Sequence, residues 1–193
     1  MVSPMYLSCL CTYFEVSFQL FQAKILGFAT WDENDTDIKL STRREAKIDA
    51  SSGTCAIILD RTSFYAEGGG QSSDVGFING PRGAVFEVTD VQELASGHIL
   101  HLGRLKSGKA LINGMDVYTK IDTNRRVTTM QNHTGVHLLN HVLFKKFPVR
   151  LKSSNVTDQL IEHNFVTYAK GFKSAIPEAC LSVILDQNLV IKL

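Results

Sequence analysis

Ten glycines fall between Gly68 and Gly114, at 68, 69, 70, 76, 80, 83, 97, 103, 108 and 114. Between them lie only short apolar or alternating runs. Cys55-Ala-Ile-Ile-Leu59 is apolar and β-branched, Ala84 to Val91 partly alternates, and Asp116 to Asp122 alternates well. His98-Ile-Leu-His-Leu102 follows Ser96-Gly97. Glycine breaks a helix but supplies the turns that short strands need. Strands this short cannot each hide an apolar face alone, so the spacing predicts a small β-barrel over roughly residues 43 to 125.

The period changes near Arg125. Met130, Val136, Leu139, Val142, Leu143 and Phe147 recur at helical spacing, and Pro148 should end that helix. A second helix is expected from about Ser174, with Pro177 in its first turn and Ile176, Cys180, Val183 and Ile184 on one face. The stretch from Val156 to Tyr168 suits strand or helix. The fold class is therefore α+β: residues 1–42 an N-terminal segment, 43–126 the barrel, and 127–193 the start of an α/β domain.

The first helix carries His133, His137 and His141. Residues four apart share a helix face with Cβ atoms about 5–6 Å apart, which lets two imidazoles close on one zinc ion. The pair reads either as two metal ligands or as polar-face or core histidines. It lacks the glutamate of a zincin motif. Gly135 costs the helix about 1 kcal/mol relative to alanine, which suggests a packing or close-approach reason. His141 reads as a surface or supporting residue, and His98 and His101 receive no role.

Glu67-Gly-Gly-Gly-Gln71 is the least ordinary stretch. It is neither a P-loop nor a dinucleotide-binding glycine motif. Three glycines allow positive φ and close approach of a ligand or of another backbone, and Gln71 adds donors and an acceptor. A structural barrel turn and a ligand-facing loop both fit.

Charge adds a second hint. Twenty Lys and Arg against nineteen Asp and Glu leave the chain at +1, but residues 104–152 hold ten basic residues against two acids. That stretch is +8 and the remainder −7, which suggests a basic face for a polyanion, or else an ordinary solvated surface. The four cysteines, Cys9, Cys11, Cys55 and Cys180, form no C-x-x-C pair, so reduced thiols are expected. Residues 1–29 hold only Glu15 and Lys24 as charges, yet lack a basic start or an unbroken apolar span, so no targeting or membrane segment is expected. Three Asn-x-Ser/Thr sequons, at Asn34, Asn132 and Asn155, are read as chance.

Taken together, these motifs resemble the alanyl-tRNA synthetase family. Leu59 to Gly76 resembles its glycine-rich motif, and Asp90-Val-Gln92 and His98 to Gly103 look like its next barrel strands. Ile121-Asp-x-x-Arg-Arg126 with Asn132-His-Thr-Gly-Val-His-Leu-Leu139 is similar to the entry into its editing domain. The resemblance spans residues 43 to about 165. It implies a β-barrel followed by an incomplete α/β editing domain, which hydrolyses serine or glycine wrongly attached to tRNA(Ala). It implies zinc held by His133 and His137 with a further Cys and His. It also implies tRNA(Ala) as partner, the acceptor end meeting Gly68, Gly69, Gly70 and Gln71. Phosphates would meet Arg125, Arg126, Lys145, Lys146, Arg150 and Lys152. ATP would enter only through an aminoacylation domain that this sequence does not contain.

Two departures stand out. No Cys-Gly-Gly-Thr-His-like segment occurs here, and Cys180 is followed by Leu-Ser-Val-Ile. Where the family has Gln-x-Gly-Ser, this chain has Leu151-Lys-Ser-Ser154. An internal piece of a synthetase is the expectation. The alternatives are a free-standing editing protein, a non-catalytic tRNA-binding module, or a plain structural domain. A cytoplasmic location is expected, with mitochondrial as alternative; neither a membrane nor a protein partner is anticipated.

Overall fold

The computed structural model describes residues 20–30, 39–146, 149–167, 179–184 and 190–192. Beyond His141, side chains are described only for Lys145 and residues 153–161. The barrel is built from β1 (Phe21–Thr30), β4 (Cys55–Leu59), β5 (Gly76–Asn79), β6 (Val85–Glu93), β7 (Ile99–Ser107) and β9 (Asp116–Ile121). They pair in the order β1-β4-β7-β6-β5-β9, and β9 returns to β1, so six antiparallel strands close the sheet. Closure leaves no free edge. A short β2 (Lys39–Ser41) adds to the far half of β1, and β3 (Lys47–Ile48) pairs with β8 (Leu111–Ile112).

Alternation explains the interior. Ala23 and Ile25 of β1, Ile78 of β5, and Val117 and Thr119 of β9 are all buried, with more exposed neighbours between them. Ala23, Ile25, Ile78 and Val117 join Phe28, Ile48, Ile57, Phe64, Phe86, Val88, Val91 and Leu111 in one core. β4 is buried at every position, because Ala56 and Ile58 on its other face pack with Ala29 and Leu100. At Gly103 of β7 an added Cβ would lie 1.8 Å from the Glu87 carbonyl oxygen, beside a register shift in β6. That close backbone approach at a bulge is how a small barrel turns a corner.

The barrel begins earlier than the sequence suggests. Its first strand, β1, lies inside the stretch set apart as residues 1–42. The cue was present, since Phe21-Gln-Ala-Lys-Ile25 alternates, but the low charge of the surrounding segment hid it.

His101 is fully buried in this wall. Its Nδ1–H donates to the Ile57 carbonyl at 2.9 Å, and its Nε2 accepts from the Thr62 hydroxyl at 2.7 Å. Thr62 Oγ1 in turn accepts the Phe64 amide at 3.1 Å. Burial pushes the imidazole down from 6.5 to about 4, and the bond to Ile57 opposes this only partly. The unfolded chain therefore binds the proton first as pH falls. Stability present above about pH 6.5 should drain away towards pH 4, by about 3 kcal/mol. Urea midpoints across that range should show the loss, and His101→Gln should flatten it.

Strand β9 runs straight into α1 (Thr123–Lys146). Asp122 caps it: Oδ1 accepts the Arg125 amide at 3.1 Å and its carbonyl accepts that of Arg126 at 3.0 Å. Helix α1 packs on β10 (Val149–Val156) and β11 (Leu160–Thr167), where Val136, Val156 and Ile161 form a small core with Leu139. Gly135 faces Ile161 Cδ1, and an added Cβ would sit at an ordinary 3.8 Å, so of the packing or close-approach reasons expected there a close approach is not found. Asn132 is buried and donates its amide to the Thr157 carbonyl at 2.8 Å, holding the β10–β11 turn.

β12 (Ala179–Ile184) and β13 (Val190–Lys192) complete a second antiparallel sheet, β10-β11-β12-β13. The helix expected from Ser174 is thereby corrected over 179–184, where the chain is a strand registered against Leu160 to Phe165. Residues 174–178 lie outside the described residues. Among the described residues no helix is long and apolar enough to cross a membrane.

Candidate metal centre

The glycine-rich stretch lies between β4 and β5. Gly68 and Gln71 exchange backbone hydrogen bonds of 2.9 and 3.2 Å around Gly69 and Gly70, both left-handed with φ of +60° and +81°. Both central residues at positive φ make the kind of tight turn that favours glycine. The turn then adds itself to β10. Val156 N–H donates to the Gly70 carbonyl at 2.6 Å and Ser72 N–H to the Val156 carbonyl at 2.9 Å. A Cβ on Gly70 would lie 2.1 Å from the Ser154 carbonyl oxygen, whereas one on Gly69 would meet nothing within 4 Å. One glycine is required by space and its neighbour by conformation.

This docking carries Gln71 under the helix. Gln71 is buried, and its Oε1 lies 2.6 Å from Nδ1 of His133. A carboxamide oxygen only accepts, so Nδ1 carries the proton and Nε2 presents a lone pair. His137 stacks one turn on, ring centroids 4.9 Å apart at a 31° tilt. Burial, and secondly the charge on His137, hold His133 below the ordinary imidazole value, which favours the neutral ring that a metal requires. The pair thus fits two positions of a zinc site. Among the described residues no group of three or more His, Cys, Asp or Glu side chains could hold a metal. His141 is exposed, and the Cys55 thiol, buried in the barrel, is pushed up to about 11.

The basic residues divide. Arg126, expected at a phosphate, is engaged within the fold. Its Nε donates to Asp74 Oδ1 and Oδ2 at 2.9 and 3.0 Å, and its Nη2 to Asp74 Oδ2 and, at 3.0 Å, to the Ser63 carbonyl. Only 11% of that side chain is exposed, so little of the guanidinium faces solvent. Asp74 also accepts the Tyr65 amide at 2.8 Å. Arg125 lies 3.6 Å from Asp158 and is partly exposed. Lys145 is exposed, and the side chains of Lys146, Arg150 and Lys152 lie outside those described. Sequence reasoning missed Asp74, whose only signal was an acid within a polar run before Gly76.

The description "tRNA synthetases class II (A)" matches residues 16–125, which takes in the whole closed barrel. An alanine–tRNA ligase from Granulibacter bethesdensis is 32% identical over 181 residues, covering 91% of this chain. The chain belongs to the alanyl-tRNA synthetase family. Coverage that long includes the histidine helix as well as the barrel. An alanine–tRNA ligase of Thermotoga maritima is 34% identical over 157 residues, 80% of this chain and 18% of that protein. One from a Roseiflexus species reaches 46% over 87 residues. The chain spans about a fifth of the length of the Granulibacter and Thermotoga relatives. Within this synthetase segment the glycine turn reaches the helix through Gln71 and His133.

Proposed function

We propose that this segment serves an alanine–tRNA ligase as a tRNA-binding barrel joined to part of a hydrolytic site that removes serine or glycine wrongly attached to tRNA(Ala). The observation that carries it is the His133–His137 pair, with His133 held against Gln71, on a helix that continues directly from the barrel. The need is physical. A pocket for a small amino acid discriminates weakly against one methylene or an added hydroxyl, so a second, hydrolytic site supplies the missing specificity.

His133 and His137 would hold zinc, with the remaining ligands supplied from outside the described residues. When bound, the metal supplies a positive centre that orients the tRNA terminus or acidifies a water. This chain's own residues hold the Nδ1 proton on Gln71, fix the two rings one turn apart, and partly bury them. Lys145 and Arg125 would meet phosphate, an attraction that weakens with salt. The finding of only two ligands among the described residues favours one other reading, a tRNA-binding module without chemistry.

Zinc content and deacylation of seryl-tRNA(Ala) test both, with alanyl-tRNA(Ala) as control. The chain should bind zinc and hydrolyse only the seryl ester, and His133→Ala with His137→Ala should abolish uptake. Zinc content unchanged in that double variant would overturn the metal reading. Salt-sensitive tRNA binding without hydrolysis would favour the second.

A further inference from the structure

The geometry points to Gln71 as a positioning residue that fixes His133 as its Nδ1–H tautomer and so leaves Nε2 open to an electrophile such as a metal ion. This use of Nε2 rests on the zinc reading, but the tautomer is a property of the metal-free chain.

Neutral imidazole carries its proton on either nitrogen, and the hydrogen bond at one decides the state of the other. Gln71 Oε1 can only accept, and it meets Nδ1 at 2.6 Å. The residue that supplies this oxygen is itself held on several sides. Its backbone is pinned by the reciprocal bonds to Gly68, and its neighbours Gly70 and Ser72 bond Val156 of β10. Its side chain is buried. Helix α1 packs on β10 and β11 through Val136, Val156 and Ile161, so the same strand that seats the turn also seats the histidine. A residue 62 positions away in the chain therefore orients the imidazole through one shared strand. The glycine turn accordingly has a purpose that neither glycine supplies alone: it carries an amide oxygen to the ring.

Supporting hydrogen bonds of this kind tune metal affinity by about 10- to 100-fold. The test starts without metal. In the chain carrying ¹⁵N-labelled histidine, at about pH 8 where imidazoles are neutral, His133 Nδ1 should give a pyrrole-type and Nε2 a pyridine-type resonance. Gln71→Leu, which removes the acceptor, should shift His133 towards the Nε2–H tautomer. Gln71→Glu, which restores an acceptor, should keep Nδ1–H. Zinc titrated into the same samples should bind about 10- to 100-fold more weakly to Gln71→Leu than to the parent. Gln71→Glu should restore the affinity. A parent chain with His133 in the Nε2–H form, or a tautomer unmoved in a folded Gln71→Leu, overturns the inference. The expected tautomers with no zinc uptake by any of the three would sustain the role of Gln71 and overturn the zinc reading alone. The parent and Gln71→Glu measurements decide the question even if Gln71→Leu does not fold.

Discussion

Alanine at position 70 should detach the glycine turn from strand β10. Its Cβ would have to occupy the space of the Ser154 carbonyl oxygen, 2.1 Å away, at a φ of +81°. A left-handed non-glycine residue costs about 1–2 kcal/mol. Moving the turn also gives up the bonds from Val156 N–H to Gly70 and from Ser72 N–H to Val156. Each backbone bond contributes about 1 kcal/mol net, so the expected destabilisation is about 3–4 kcal/mol. Gly69→Ala, which meets open space, should lose only the conformational part, about 1–2 kcal/mol. Gly68, whose added Cβ would have only ordinary neighbours at 3.8 and 3.9 Å, should tolerate alanine almost freely. Urea unfolding of the three variants reads this gradient, and hydrogen exchange at the Val156 amide reads the detachment itself. Equal losses at all three positions would mean that glycine content, and not docking on β10, explains the motif.

Short strands were legible because glycine and alternation act locally. Ile78, Val117 and Thr119 point inward by a period of two that any single strand shows on its own. Which strands close the barrel was not legible. Closure depends on β1 pairing with β9 through Phe21↔Thr119 and with β4 through Phe28↔Ile57, and no local signal states those partners. β12 failed for a related reason. Cys180, Val183 and Ile184 satisfy a helical stripe over so short a run, and a run of that length fits a strand as well. The register against β11, Ile161 opposite Val183, decides in favour of the strand.

The site shows the same boundary. Four-residue spacing placed His133 beside His137 because a helix makes neighbours of them, and the ring separation of 4.9 Å agrees. The singularity of Gly68 to Gln71 was visible too. That the two features touch was not, because they meet through a strand whose register neither stretch contains. Charge misled in the opposite way. Arg126 sits in the basic stretch, yet its partner Asp74 is 52 residues away and lies in the acidic remainder. A run of like charge along the sequence says where cations are plentiful, not which of them folding has already used.

Removing Asp74 should therefore be among the most damaging single changes in the chain. Asp74→Ala leaves the Arg126 guanidinium buried with only the Ser63 carbonyl as partner and leaves the Tyr65 amide without its acceptor. Breaking a buried ion pair from one side costs about 3–5 kcal/mol. Arg126→Ala should cost about as much, for it strands the carboxylate instead. An Asp74→Leu, Arg126→Met double variant should recover part of the loss, as paired apolar replacements often do. Recovery should be incomplete, because the Tyr65 and Ser63 backbone groups still lose their bonds. Denaturant midpoints of the parent, Asp74→Leu, Arg126→Met and the double variant test the cycle, and a double loss equal to the sum of the single losses would show that the pair is not coupled. Binding separates this account from the one that charge suggests. If Arg126 only clamps the first turn of α1 to the loop beneath it, Arg126→Met in the folded chain should leave the salt dependence of tRNA binding unchanged. Lys145→Ala, which deletes an exposed cation, should lower that slope by about one, the share of a single neutralised phosphate. A lowered slope for Arg126→Met would mean that the guanidinium reaches phosphate after all, and that the ion pair with Asp74 opens when tRNA binds.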